Sequence, residues 1–221
     1  MPGFPRRVRS DPYQSDYGMV VWRMSVLEYD EQAILERLAV LDRSSKTVFA
    51  ASCAERLSGL FDRYARVAGA PELALRLRAV IDAAWGAASG AFVDAGSLQA
   101  EAEGMVPQDA DDWVLEAGYG QNAAAAAAYA MRTWMTDAPQ EAAWAARQVY
   151  ELADYAALNG DPGLDPGGLV PERQVLESEA VQRALWAIAH SLDLVEAGRP
   201  SWGQLRLEAE TDCAQWAAEF P

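Results

Sequence analysis

One histidine, one lysine and two cysteines are spread over 221 residues, and each scarcity removes a class of chemistry. A zinc site of histidine and cysteine needs ligands that this chain lacks. A di-iron carboxylate bundle needs Glu-x-x-His on two helices, whereas His190 is the only histidine and Ala187 stands three residues before it. Nucleophilic catalysis by Cys53 or Cys213 would need His190 as its base. Cys53 falls on the apolar stripe of its helix, which predicts a buried, inert thiol. No apolar stretch approaches the roughly 18 residues that cross a bilayer. Arg6, Arg7 and Arg9 are followed by polar "SDPYQSDYG", where an export signal needs its apolar segment. The expected compartment is therefore the cytoplasm, with both cysteines reduced.

What is present is apolar and acidic. Hydrophobic residues make up 51% and charged residues 23%, with a formal charge of −15. Such a chain can bury a substantial core. The charge is uneven: residues 1–66 hold 10 basic and 9 acidic side chains, residues 67–221 hold 8 and 24. That field repels nucleic acid and anionic membranes. It suits a protein partner with a basic surface, a cation, or solubility alone, including that of a homo-oligomer.

Residues 1–23, with three prolines and no sustained period, read as a flexible tail. Met24 is an alternative start, and residues 24–221 read as one domain. From Asp30 onward the period is helical. Asp30 is the expected N-cap of a helix carrying Ile34, Leu38 and Leu41. Ser44 or Ser45 is expected to start a second, with the stripe Phe49, Cys53, Leu57, Leu60, Tyr64, Val67 and a stop at Gly69. Pro71 opens a third with Leu73, Leu77, Val80 and Ala84. Residues 97–103 form a short helix and "GMVPQDADDW" a loop. A long helix from Tyr119 to Thr136 carries alanines 123–128, a composition that suits burial at the centre. Pro139 starts the next, with Ala145, Val149, Leu152 and Ala156 inward. After the break "NGDPGLDPGG" at 159–168, Val181, Leu185, Ile188, Leu192 and Val195 mark a helix ended by Gly198. Ser201 is expected to cap the last, with Trp202, Leu205, Ala209, Trp216 and Phe220 inward. The sum is an all-α fold of seven or eight helices around a central Ala-rich helix.

Three stretches imitate ligand sites. Gly118-x-Gly120-x-x-Ala123 resembles a dinucleotide loop, but that fold needs parallel strands after the helix. Both glycines are instead expected to shape a turn into the buried helix. Asp161 and Asp165 open a twelve-residue window ending at Glu172, as in a calcium loop. Gly163 and Pro166 occupy the third and sixth positions, where an oxygen ligand and a glycine are needed. Glu101, Glu103, Asp109, Asp111, Asp112 and Glu116 place six carboxylates in sixteen residues with no basic neighbour in sequence. Oxygen ligands suit Mg²⁺, Ca²⁺ or Mn²⁺, but a solvated loop is the simpler reading. The tryptophans fall at core spacing and read as packing.

"FAASCAERL" (49–57), "LRAVIDAAW" (77–85), "LQAEAEGMVPQDADDW" (98–113) and "YGQNAAAAAAYA" (119–130) resemble, in order and spacing, the YjaG-like bacterial family of uncharacterised proteins. The specific pieces are Phe49, Cys53, Glu55 and Arg56, then Pro107, Asp111, Asp112, Tyr119 and Gly120. The resemblance implies an all-helical domain and carries no activity, catalytic residue or cofactor. Arg56 is expected to reach Asp111 or Asp112 and pin the acid loop. The alternative is a divalent-metal-dependent enzyme in which Glu55, Asp111 and Asp112 surround the cation. The sequence favours a non-catalytic, soluble helical protein that binds a protein partner through its acidic surface.

Overall fold

A computed structural model of the chain describes residues 26–108, 114–160 and 172–221. Among the described residues there are nine α-helices, one short 3-10 turn and no strand. They are α1 (Glu31–Ala39), α2 (Arg43–Val67), α3 (Glu72–Ala88), α4 (Ala95–Gly104), α5 (Leu115–Thr136), α6 (Pro139–Gly160), α7 (Glu172–Leu176), α8 (Glu179–Glu196) and α9 (Trp202–Glu219). The all-α class is as expected from the period. The proposed tail at 1–23, the alternative start at Met24 and the calcium-like window from Asp161 lie outside the described residues, apart from Glu172.

Helix starts follow side-chain capping. Asp30, Asp42 and Ser178 each accept a hydrogen bond from the N–H three residues on, at Ala33, Ser45 and Val181. These bonds satisfy donors that a helix leaves open. The cap of α2 is thus Asp42, and Ser44 and Ser45 already lie inside the helix. Ser201 does not cap α9: its hydroxyl turns back and donates to the carbonyls of Leu194 and Gly198. Gly69 and Gly198 stand at φ of 69° and 89°, just past the ends of α2 and α8.

Two helices share the centre. The alanine face of α5 is buried at Ala123, Ala124, Ala126, Ala127 and Ala130. Helix α2 is still more enclosed: every residue from Ser45 to Ser58 is buried, between α3, α5, α6, α8 and α9. The inward stripes of α3, α6, α8 and α9 close on this pair. Leu77, Val80, Ala145, Val149, Leu152, Val181, Leu185 and Leu205 are all buried. The expected stripe of α2 ends early, since Tyr64 is only half-buried and Val67 is 54% exposed.

Gly118 and Gly120 do not form a turn, because α5 already begins at Leu115. Their role is close approach. A Cβ on Gly118 would stand 2.6 Å from the Tyr155 ring of α6, and one on Gly120 would stand 2.5 Å from the Tyr64 ring of α2. Both rings are half-buried, so each can shift only toward its exposed side. Gly120→Ala should therefore lower stability by roughly 1–2 kcal/mol, as overpacking exceeds the gain in helix propensity. Urea unfolding checks this; unchanged or increased stability would show that Tyr64 yields.

Candidate functional site

The residues singled out from the sequence go mostly into packing. Phe49 and Tyr119 are fully buried, and Cys53 is 1% exposed with its thiol pushed up to about 12 by burial. Such a thiol carries almost no thiolate at neutral pH. Burial also raises the Tyr119 phenol, whose hydroxyl donates to the Pro221 carbonyl at 3.2 Å. Pro107 is half-buried just after α4. Glu55 is 1% exposed, and one carboxylate oxygen pairs with Arg78 of α3. The other is buried without a partner among the described residues.

Arg56 pairs with an acid from α9. Its Nε donates to Asp212 of α9 at 2.7 Å, and its Nη1 donates to the Ser52 carbonyl at 3.2 Å. Packing of α9 along α2 brings together residues 156 positions apart. Asp109, Asp111 and Asp112 lie outside the described residues. The rest of the acid cluster has found arginines from other helices. Glu101 meets Arg76 at 2.7 Å, Glu116 meets Arg63 at 3.6 Å and Glu103 meets Arg132 at 3.8 Å. Among the described residues no group of three or more His, Cys, Asp or Glu side chains is placed to hold a metal ion. His190 pairs with Glu208 at 3.0 Å and stacks on Trp186, its ring 4.7 Å away. Trp186 is 51% exposed, unlike the packed Trp85, Trp202 and Trp216.

A concavity lies elsewhere among the described residues. A cleft of about 740 Å³ opens between the extended segment 26–30, α6 and α7. Val26 and Glu28 form one wall. Tyr150, Asp154 and Leu158, spaced four apart on α6, form the floor, as helical periodicity requires. Glu172, Arg173, Val175, Leu176 and Glu177 complete it. One side chain ties the walls together. Gln182 of α8 accepts from the Leu27 N–H at 2.9 Å and donates to the Leu27 carbonyl at 3.0 Å and the Leu176 carbonyl at 2.8 Å. Tyr29 stacks on Tyr150 with ring centroids 4.9 Å apart, which fixes the floor. Sequence reasoning missed Asp154 and Gln182 and met Glu172 only as the end of the calcium-like window: each is one polar residue on a helix, and period alone does not say which polar positions converge.

The electrostatics of the cleft are one-sided. Four carboxylates, from Glu28, Asp154, Glu172 and Glu177, face one basic group, Arg173. Arg173 is already committed to Glu177 at 2.7 Å. Burial raises the Asp154 carboxyl above its ordinary range and nearby Glu151 adds to the effect. The Tyr150 phenol is raised by burial first, then by Asp154, Glu172 and Glu151. The cleft is concave and partly apolar, and acids outnumber bases along its lining.

No family model and no curated protein matches the chain. Its fold is similar to that of a DUF416 family protein from Shewanella baltica OS155, known from a crystal structure. The TM-score is 0.65 and the identity 14%, over 79% of this chain and 92% of that one. The likeness extends to the fold. No helix among the described residues is long and apolar enough to cross a membrane.

Two outcomes follow from the charges. Asp212→Ala would leave Arg56, 2% exposed, without its counter-charge, at a cost of about 3 kcal/mol in denaturant unfolding. A loss below about 1 kcal/mol would mean that Ser52 and water suffice. Asp154 has the opposite sign. Its folded carboxyl holds a proton more tightly than the unfolded one, so its contribution is present at low pH and lost as pH rises through the folded value. Asp154→Asn should raise Tm near pH 7, with the gap closing near pH 3.

Proposed function

We propose that the chain is a YjaG-like, non-catalytic helical protein of the cytoplasm that binds a protein partner with a basic surface, and that the acidic cleft is where it does so. The observation that carries this is Asp154. It is half-buried, forms no ion pair among the described residues and has its carboxyl raised by burial. A carboxylate kept at a cost to stability is the mark of a site rather than of a scaffold. Lysine or arginine entering the cleft would neutralise it, while Val26, Leu158, Val175 and Leu176 accept the aliphatic stem.

The divalent-metal reading at Glu55, Asp111 and Asp112 receives less support, because Glu55 already faces the guanidinium of Arg78. Titration calorimetry with a mixed lysine–arginine peptide tests the proposal. Binding should weaken about tenfold between roughly 0.05 and 0.3 M salt. Replacing Asp154 by Asn and Glu172 by Gln together should weaken it by a similar factor. Binding that ignores both salt and these substitutions would sink the acidic-cleft reading.

A further inference from the structure

We propose that a second pocket, between the end of α3 and the start of α9, binds a small uncharged molecule through a carbonyl oxygen, taken up by the indole N–H groups of Trp85 and Trp202. The pocket holds about 260 Å³ and is walled by Asp82, Trp85 and Gly86 of α3 and by Trp202, Gly203 and Arg206 of α9. It shares no residue with the acidic cleft. Trp85 is 5% exposed and Trp202 8%. The indole Nε1 of each is shielded from solvent and has no hydrogen-bond partner among the described residues. An indole offers one donor and no acceptor, and the large majority of buried side-chain polar atoms find a partner. Two unpaired donors on rings of one pocket wall point to an acceptor that the protein itself does not supply. Each ring borders the free volume, so a small tilt presents its N–H to a ligand there.

The charges favour an uncharged occupant. Arg206 is committed to Asp82 at 2.5 Å and to Glu210 at 3.1 Å, and its guanidinium lies over the Trp85 ring, 5.6 Å from the centroid. An anion would compete with two carboxylates for that one cation, and a cation would find Asp82 already neutralised. The groups left open are neutral donors, which match the oxygen of an amide or a ketone. Space is also kept for it. A Cβ on Gly203 would meet nothing within 4 Å, and one on Gly86 would meet only the Ala91 Cβ at an ordinary 3.5 Å. Unlike Gly118 and Gly120, neither glycine is required by packing, although glycine in a helix is less stable than alanine. The indole rings offer apolar contact to the rest of the ligand.

The test adds benzamide to the ¹⁵N-labelled full chain and follows the indole N–H resonances, with Trp85 and Trp202 assigned through W85F and W202F. Both resonances should move downfield and saturate, with a Kd near the millimolar range that suits a fragment of about nine non-hydrogen atoms. The other indole resonances should stay in place. G203L keeps both tryptophans and places a side chain at the pocket wall; it should weaken benzamide by about tenfold. Benzoate, of the same shape, should bind more weakly than benzamide, because its carboxylate meets Asp82. Benzoate binding as tightly as benzamide, or more tightly, overturns the uncharged class of ligand. Benzamide that leaves both resonances unmoved, shifts every indole alike without saturating, or binds G203L as well as the native chain overturns the site itself.

Discussion

Helix α2 is enclosed on every side from Ser45 to Ser58, and the rest of the architecture answers to that enclosure. Lys46, Glu55 and Arg56 lie within this buried stretch. Taking an ion out of water costs several kcal/mol unless a partner is well placed, so each charge must be met by a different neighbour. Lys46 donates to the Asp137 carbonyl at 2.7 Å, where α5 ends, and lies 2.7 Å from the Asp137 carboxylate. Glu55 turns to Arg78 of α3, and Arg56 to Asp212 of α9. Ser52 and Ser58 return their hydroxyls to carbonyls of α2 itself. The three ion pairs therefore act as addresses: each fixes which helix lies on which side of α2. Asp137 stands at φ 59°, a conformation disfavoured for a side chain with a Cβ, and Lys46 holds both its carbonyl and its carboxylate.

Close approach does the remaining work. The small residues of α5 let Tyr64 of α2 and Tyr155 of α6 press onto the backbone at Gly120 and Gly118. With Tyr155 against α5, the face of α6 carrying Tyr150, Asp154 and Leu158 is left to face segment 26–30 and α7. The cleft thus follows from how tightly α6 docks. Gln182 then joins both rims through backbone atoms, so the walls are set by hydrogen bonds that do not depend on what side chains line them.

The acidic balance of the chain divides into two parts. Most carboxylates on the helices meet an arginine, including those at Glu101, Glu103 and Glu116 that look unpartnered in the linear chain. These pairs are largely exposed and individually weak. In the cleft the carboxylates outnumber cations, and one of them is half-buried. Excess negative charge becomes specific only where concavity lowers the dielectric around it.

Helix ends near Asp30 and Pro139, and the inward stripes of α3, α6 and α8, were legible in the sequence because capping and the 3.6-residue period act over a few residues; the nine α-helices among the described residues exceed the expected seven or eight because α7, five residues long, is too short to show a period. The role of Gly118 and Gly120 was not, since a glycine that makes room for a ring looks like one that makes a turn until the ring is seen. Nor were the partners of Arg56, Glu55 and Lys46, which lie 156, 23 and 91 positions away. Asp154 reads in sequence as one more polar residue on the outer side of a helix. Local chemistry determines which faces are apolar; only packing decides which polar groups meet across the interior and which acids remain unneutralised in a cleft, because those distances depend on several helices at once.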